Sequence, residues 1–445
     1  MPRKADARPL AQFMPDSWVT QAITVDSLSA TERAWLHGLQ RQALAYFLEN
    51  QQPHGLVLDR QRNHSSVLVV SGLCSTAATG MGLMAVALAS APEYRLLTLA
   101  DARSRIAACL ETALEHLPHM NGMLPHFVDT RTLAPVGVDR VSTIDSSWLI
   151  VGALWAAAFL DDAQIRAQAE RLYHRADWQY WARVPDGELG RLRHGSGPGG
   201  KLLPNSWERL NGETAFMFLL ACGADPEKCL PRASWMGLKT CPGQVAGHCF
   251  ASADLGLFVF QYSLELLDCK RYALPGPCDL FAEARTATWA NHLACRTAAH
   301  EFQTYRTFWG LSAGDGPGAN GADVYRCYAP NGPVDGTAHL TATLASLSTY
   351  PRLVMENISR AERTAGCRSR GRYGYSNVNV DRDWVSRDVV GIDLGAAAMA
   401  LDNFLHHGRV RRVFHGLECV VAALERLGSY PRPVTEHLPT QRKAS

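Results

Sequence analysis

The chain has 445 residues, 47% of them hydrophobic and 19% charged, enough to bury a large core along most of its length. Its 44 basic and 42 acidic side chains leave a net charge of +2. No basic stripe alternates with aromatics, so the electrostatic footprint of a nucleic-acid or anionic-membrane binder is missing, and the expected partner is neutral or small.

The opening segment, "MPRKADARPLAQFMPDSW", carries positive charges but no apolar run behind them, unlike a secretory signal. Helical periodicity then dominates, predicting helices over 29–51, 73–91, 99–116, 144–160, 163–178, 211–223, 253–269, 279–296, 337–349, 353–364, 393–406 and 410–427. The apolar run "WLIVGALWAAAFL" stops short of the roughly 20 residues that a membrane-spanning helix needs and reads as a buried helix. Residues 29–430 form one expected domain, with 1–28 and 431–445 as extensions. With no export signal in the pattern, the expected compartment is the cytoplasm.

The connections alternate in character. "DDAQIR" and "SAPEYRLLTLAD" are plain, whereas "RHGSGPGGKLLPNSW", "SAGDGPGANGADVYRCYAPNGPVDG" and "RSRGRYGYSNVNVDRDW" are long and rich in Gly, Asp and aromatics. Long loops in a compact domain usually carry function. Twelve helices with an elaborate loop at every second connection predict an all-α fold, an (α/α)6 toroid of six helical hairpins with the long loops around one mouth. An α-solenoid is the rival, but no repeat of fixed period is present.

Twelve cysteines are scattered without a C-x-x-C pair. Cys222, Cys229, Cys241 and Cys249 lie loosely together, with His248 beside the last. The spacing favours reduced, mostly buried thiols over a zinc site, and no metal or cofactor is expected.

Three acids stand at the starts of strongly apolar helices. Ser142 and Asp145 have capping-box spacing, Glu213 follows a plausible Asn211 cap, and Asp393 could itself cap the next helix. Each therefore has a purely structural explanation. In a toroid, however, those helices are the inner ones, and their first turns converge on one mouth. Grouped carboxylates are what glycoside cleavage requires, one protonated to assist the leaving oxygen and one ionised to activate water. The apolar stretch after Glu213, "TAFMFLL", suits the acid, and the more open surroundings of Asp393, between Gly391 and Gly395, suit the base. Trp207, Trp309, Tyr328, Tyr373, Tyr375 and Trp384 all lie in long loops. Of these, Trp207, Trp309, Tyr375 and Trp384 are the candidates to face a sugar ring, with ordinary loop packing as the competing explanation.

A dozen stretches, in order, resemble the glucoamylase-like family that includes bacterial endo-β-1,2-glucanases and the glycosidase domain of cyclic β-1,2-glucan synthases. Among them are "HGLVLDR", "GMLPHFVD", "STIDSSWLIVGAL", "NGETAFMFLLACG", "FWGLSAGDGP", "VDGTAHLTATLASL", "RYGYSNVNVDRDW" and "GIDLGAAAMALDNF", and the resemblance runs over about residues 35 to 415. It implies an (α/α)6 toroid acting with inversion, Glu213 as general acid and Asp393 as general base. It also implies that Asp59, Arg60, Asp145 and Asp335 hold sugar hydroxyls, on β-1,2-glucan or its oligosaccharides. The chain departs from the family pattern in three places: Phe260 stands where a histidine is usual, Leu394 and Ala396 replace Gln and Pro, and the usual "DGTIAP" reads "DGTAHL". A transglycosylase or phosphorylase on the same sugars and a non-catalytic sugar-binding protein are the alternatives.

Overall fold

The computed structural model describes residues 23–70, 72–183, 190–364, 368–429 and 431. Most of the expected N-terminal extension and C-terminal tail, and Cys367, lie outside the described residues.

Six helical segments form the interior. They are Thr76–Ala89, Thr143–Leu160, Ala215–Gly223, the 3₁₀ turn Leu257–Phe260 leading into Tyr262–Leu266, Leu340–Ala345 and Gly391–Leu405. Each packs on the next in this order, and Gly391–Leu405 returns to Thr76–Ala89. Every residue of Thr76–Ala89 is buried, as are nearly all of Thr143–Leu160. This is the behaviour of a helix apolar all round its surface. Thr143–Leu160 is also long and apolar enough to cross a membrane, longer than the sequence suggested, but 89% of it is buried inside the protein. It is a core helix.

Amphipathic helices cover this interior. Ala30–Asn50 lies over Gly391–Leu405 and Thr76–Ala89, Leu99–Glu111 over Thr76–Ala89, and Ala163–Arg175 over Thr143–Leu160. Leu280–Thr297, Pro351–Arg363 and Glu418–Leu427 cover the remaining sides. Ala163–Arg175 buries Ile165, Ala169, Leu172 and Tyr173, a one-face stripe at helical spacing. Ser29 and Glu32 make a complete capping box at the start of Ala30–Asn50. The helix-rich architecture fits an α/α toroid.

Several predicted helices are shorter or broken, and in three of them hydrogen bonds to other parts of the chain account for the difference. The 337–349 helix is only Leu340–Ala345, since Ala338 pairs with Val378 and the His339 N–H donates to Gly310 O. The 211–223 helix begins at Ala215, because Asn211 Oδ1 takes the N–H groups of Glu213 and Thr214 in a preceding turn. Residues 253–269 break at Gln261, whose side-chain amide reaches across to Ala342 O and Ser346 Oγ. Residues 410–427 divide around Gly416.

The sequence pattern also missed several short antiparallel ribbons. Leu73–Ser75 pairs with Phe127–Asp129, Val141–Ser142 with Gly195–Ser196, and Arg60–Arg62 with Asp388–Val390. In each pair one strand runs straight into an inner helix, so the ribbons anchor the first turns of three of them.

The eleven described cysteines form no disulfide with one another. Cys222 is buried while Cys241 and Cys249 are exposed, and no group of three or more potential metal ligands occurs among the described residues.

Thr76–Ala89 and Thr143–Leu160 cross at Gly80 and Gly152, where side chains are excluded. A Cβ on Gly152 would stand 2.0 Å from Gly80 O, and one on Gly80 would stand 2.1 Å from Trp148 O. Backbone cannot yield as a flexible side chain can. Gly152→Ala should therefore destabilise the protein by at least about 1–3 kcal/mol, read as a lower urea midpoint, despite alanine's better helix propensity. An unchanged or higher midpoint would show that the two helices can separate at no cost.

Candidate active site

Asp145 sits in the first turn of Thr143–Leu160, directly after the Val141–Ser142 ribbon. Ser142 Oγ accepts the Asp145 N–H and donates to Asp145 Oδ2 at 2.5 Å. The expected capping box is nevertheless incomplete. The Ser142 N–H donates to Leu124 O, and the Asp145 carboxylate does not take it. That carboxylate instead faces His126, with Oδ1 3.6 Å from Nε2, while the other ring nitrogen of His126 lies 2.5 Å from Asp139 Oδ2. Burial disfavours a charged His126, but Asp145, Asp139 and Asp59 outweigh it and raise its pKa to about 8. Burial pushes Asp145 above its ordinary value against the pull of His126 and Ser142.

Glu213 precedes its helix on the turn formed by Asn211. No hydrogen bond to its carboxylate occurs among the described residues. Burial first, and the neighbouring Asp145 second, raise its pKa to about 7. No group that would lower it acts on Glu213 among the described residues.

Asp393 lies in the first turn of Gly391–Leu405, where Val390 occupies the cap position, so Asp393 is not the cap. Its carboxylate accepts a hydrogen bond from Tyr262 Oη at 3.3 Å. Burial raises its pKa to about 7, helped by Asp315 and Asp59, against the hydrogen bond from Tyr262 and the charge of Arg60. The lowering expected from a helix start is overcome by burial. Tyr262, itself buried, feels both Asp393 and Glu213, which places its hydroxyl in the field of the two acids.

Asp59 and Arg60 complete the group. The Arg60 guanidinium lies 3.3 Å from Asp59, 3.1 Å from Asp315 and 4.0 Å from Asp388. Burial raises the pKa values of Asp59 and Asp315 even so. Tyr325 feels Asp393, Asp59 and Asp315 from the Asp323–Cys327 strand. Neighbour by neighbour, the structure thus brings together Asp59, Arg60, Asp145, Glu213 and Asp393 with His126, Tyr262, Asp315 and Tyr325. The last four were not singled out from sequence. His126, Tyr262 and Asp315 fall inside "GMLPHFVD", "FQYS" and "SAGDGP", where a polar residue in an apolar or glycine-rich setting was the available signal.

The other candidates stand apart. Asp335 accepts from Tyr328 Oη and from the N–H and Oγ1 of Thr337, which pins it within its own loop. Trp309 is 2% exposed and belongs to a hydrophobic core cluster. Tyr375 is equally buried, with its hydroxyl on Glu362 Oε1 at 2.6 Å. Tyr328 and Tyr373 are buried as well. Their loops fold back into the core, so these four aromatics present no free ring. Trp207 is half-buried, stacked on His194 with its indole N–H on Thr143 Oγ1 beside Asp145. Trp384 lines an open cavity described below. Phe260, Leu394 and Ala396 are core positions, with Phe260 packed edge-on against Phe250.

The family model described as "Putative glucoamylase" matches residues 205–418. Among solved structures, a putative glucoamylase from Bacteroides uniformis superposes with a TM-score of 0.76 at 19% identity, covering 92% of this chain and 99% of that one. An endo-β-1,2-glucanase from Chitinophaga pinensis, in complex with sophorotriose and glucose, gives 0.76 at 18% identity over 92% and 99% of the two chains. One from Talaromyces funiculosus, in complex with sophorose, gives 0.59 at 12% identity over 91% and 90%. No curated protein matches. The resemblance to the glucoamylase-like family therefore holds in sequence over the second half of the chain and in fold over nearly all of it.

The Asp145–His126 contact has a measurable signature. In the intact protein His126 should titrate near pH 8 by NMR, and in Asp145→Asn its midpoint should fall toward the ordinary 6.5. Because the folded-state pKa is raised, the stabilisation is fully present below about pH 6.5 and is lost as pH rises through about 8. An unmoved His126 midpoint would mean that Asp145 serves the helix start alone.

Proposed function

We propose that this chain, which resembles the glucoamylase-like family in sequence and fold, is a glycoside hydrolase that cleaves β-glucosidic bonds with inversion, acting on β-1,2-glucan or its short oligosaccharides. Its six inner segments and their covering helices are taken as an (α/α)6 toroid. The carboxylate group, gathered around the starts of inner helices, is its active site.

The observation that carries this reading is the contrast between two acids that share one neighbourhood. Among the described residues, burial and Asp145 both favour the protonated form of Glu213 and raise its pKa to about 7, so near neutral pH a substantial share of it holds a proton to give to a leaving glycosidic oxygen. Asp393 is also raised, but Tyr262 and Arg60 stabilise its ionised form. It is the better placed to accept a proton from water, directly or through a substrate hydroxyl. Asp59, Arg60 and Asp145 then hold hydroxyls, and Trp207 offers an apolar face near Asp145. Such a division of labour between two carboxylates is the requirement of glycoside hydrolysis. The glucan linkage is drawn from the family resemblance, and two structural neighbours are β-1,2-glucanases holding sophorose or sophorotriose. The lack of disulfides among the described cysteines is compatible with the reducing cytoplasm expected from the sequence.

Incubation with β-1,2-linked gluco-oligosaccharides, followed by chromatography, should show shorter oligosaccharides without added acceptor or phosphate. Products that appear only with an acceptor or with phosphate would assign the protein to glycosyl transfer. Glu213→Gln and Asp393→Asn are nearly isosteric and should leave the fold intact while lowering kcat by about 10²–10⁴-fold. Full activity in either variant would remove that residue from its role.

A further inference from the structure

Beside the carboxylate group lies a cavity of about 650 Å³ with the opposite electrostatic character. Among the described residues, Arg62, Arg368, Arg382 and Arg387 line it, against two carboxylates, Asp323 and Asp383. Trp384 supplies an apolar wall, its indole N–H fixed on Asp323 Oδ1 at 3.0 Å.

The arginines are only partly neutralised. Arg387 lies 3.2 Å from Asp323, whose oxygens also take the Trp384 and Arg387 N–H groups. Arg368 and Asp383 are 3.7 Å apart and both highly exposed, a pairing of little strength in water. Arg62 shares Asp388 with Arg60. No partner for the Arg382 guanidinium occurs among the described residues. A planar guanidinium matches an oxyanion in two parallel hydrogen bonds, and an incoming oxyanion would compete well with such exposed pairs.

The cavity is joined to the active site by one strand. Arg60 reaches into the carboxylate group and Arg62, two residues on, lines the cavity; alternate residues of a strand share a face and lie about 7 Å apart. The acids on one side repel an anion, while the arginines on the other attract it. A neutral glucan needs hydroxyl partners of both kinds and gives no reason for four guanidinium groups. We infer that the cavity binds an anionic substituent, a phosphate or carboxylate, carried by the saccharide whose glycosidic bond lies at Glu213 and Asp393. The preferred substrate is then an acidic glucan, an extension that rests on the hydrolase reading above.

The same oxyanion chemistry could come from free inorganic phosphate, and the test separates the two. Cleavage of β-1,2-linked glucotriose is compared with cleavage of the same trisaccharide phosphorylated at O6. The phosphorylated sugar should have a kcat/KM at least about tenfold higher at low salt, with the advantage shrinking as salt is raised. Arg382→Gln and Arg387→Gln should each cut that advantage severalfold, and Arg382→Lys less so. Equal kcat/KM values in the wild type, or an advantage untouched in the double Gln variant, would overturn the proposal. Conversion of glucotriose by inorganic phosphate into a sugar phosphate would also overturn it, assigning the cavity to a free co-substrate. If neither sugar is cleaved, the hydrolase reading fails on its own, and calorimetry with the two trisaccharides decides the cavity. Tenfold tighter binding of the phosphorylated one supports it, and equal binding refutes it.

Discussion

Helices buried on every side can offer polar chemistry only at their ends. Thr76–Ala89 and Thr143–Leu160 approach so closely at Gly80 and Gly152 that backbone touches backbone, and their flanks have no room for water or charge. Any functional group held by the interior must stand on a first or last turn. Asp145, Glu213 and Asp393 all stand at the beginnings of inner helices, and short ribbons ahead of two of those helices fix where the first turn begins.

The electrostatics follow from that placement. A carboxylate at a helix start would ordinarily be favoured in its charged form, yet withdrawal from water dominates for Glu213 and Asp393 alike. What then distinguishes them is local. Asp393 accepts a hydrogen bond from Tyr262 and lies near the Arg60 guanidinium, whereas the Glu213 carboxylate takes no hydrogen bond among the described residues and has Asp145 as an acidic neighbour. Arg60 and His126 are the positive members that keep so many acids together at tolerable cost, and each is shared among several carboxylates.

Much of the fold was legible in the sequence because long amphipathic or wholly apolar stretches carry a strong helical period, and the inner and outer helices were found in order. Helix ends were read less well, since they depend on partners far along the chain. Gln261 breaks a helix by bonding to the Leu340–Ala345 region, and Ala338 leaves one to pair with Val378. Two- and three-residue strands have too little alternation to reveal themselves. Asp145, Glu213 and Asp393 were visible as acids at apolar helix starts, whereas His126 and Asp315 become site residues only through their contacts with Asp145 and Arg60. Loop aromatics misled for a related reason. A tyrosine such as Tyr375 looks available in sequence, but its loop turns inward and its hydroxyl finds Glu362.

The central claim is that Glu213 and Asp393 act as an acid and base on opposite faces of a β-glucosidic bond, with water as the nucleophile. Time-resolved proton NMR of the first turnovers on a β-1,2-linked gluco-oligosaccharide tests this most directly. The account predicts that the new reducing end appears first as the α-anomer and mutarotates afterwards. Initial release of the β-anomer would mean retention through a covalent intermediate, and would contradict the assignment of Asp393 as a base acting on water.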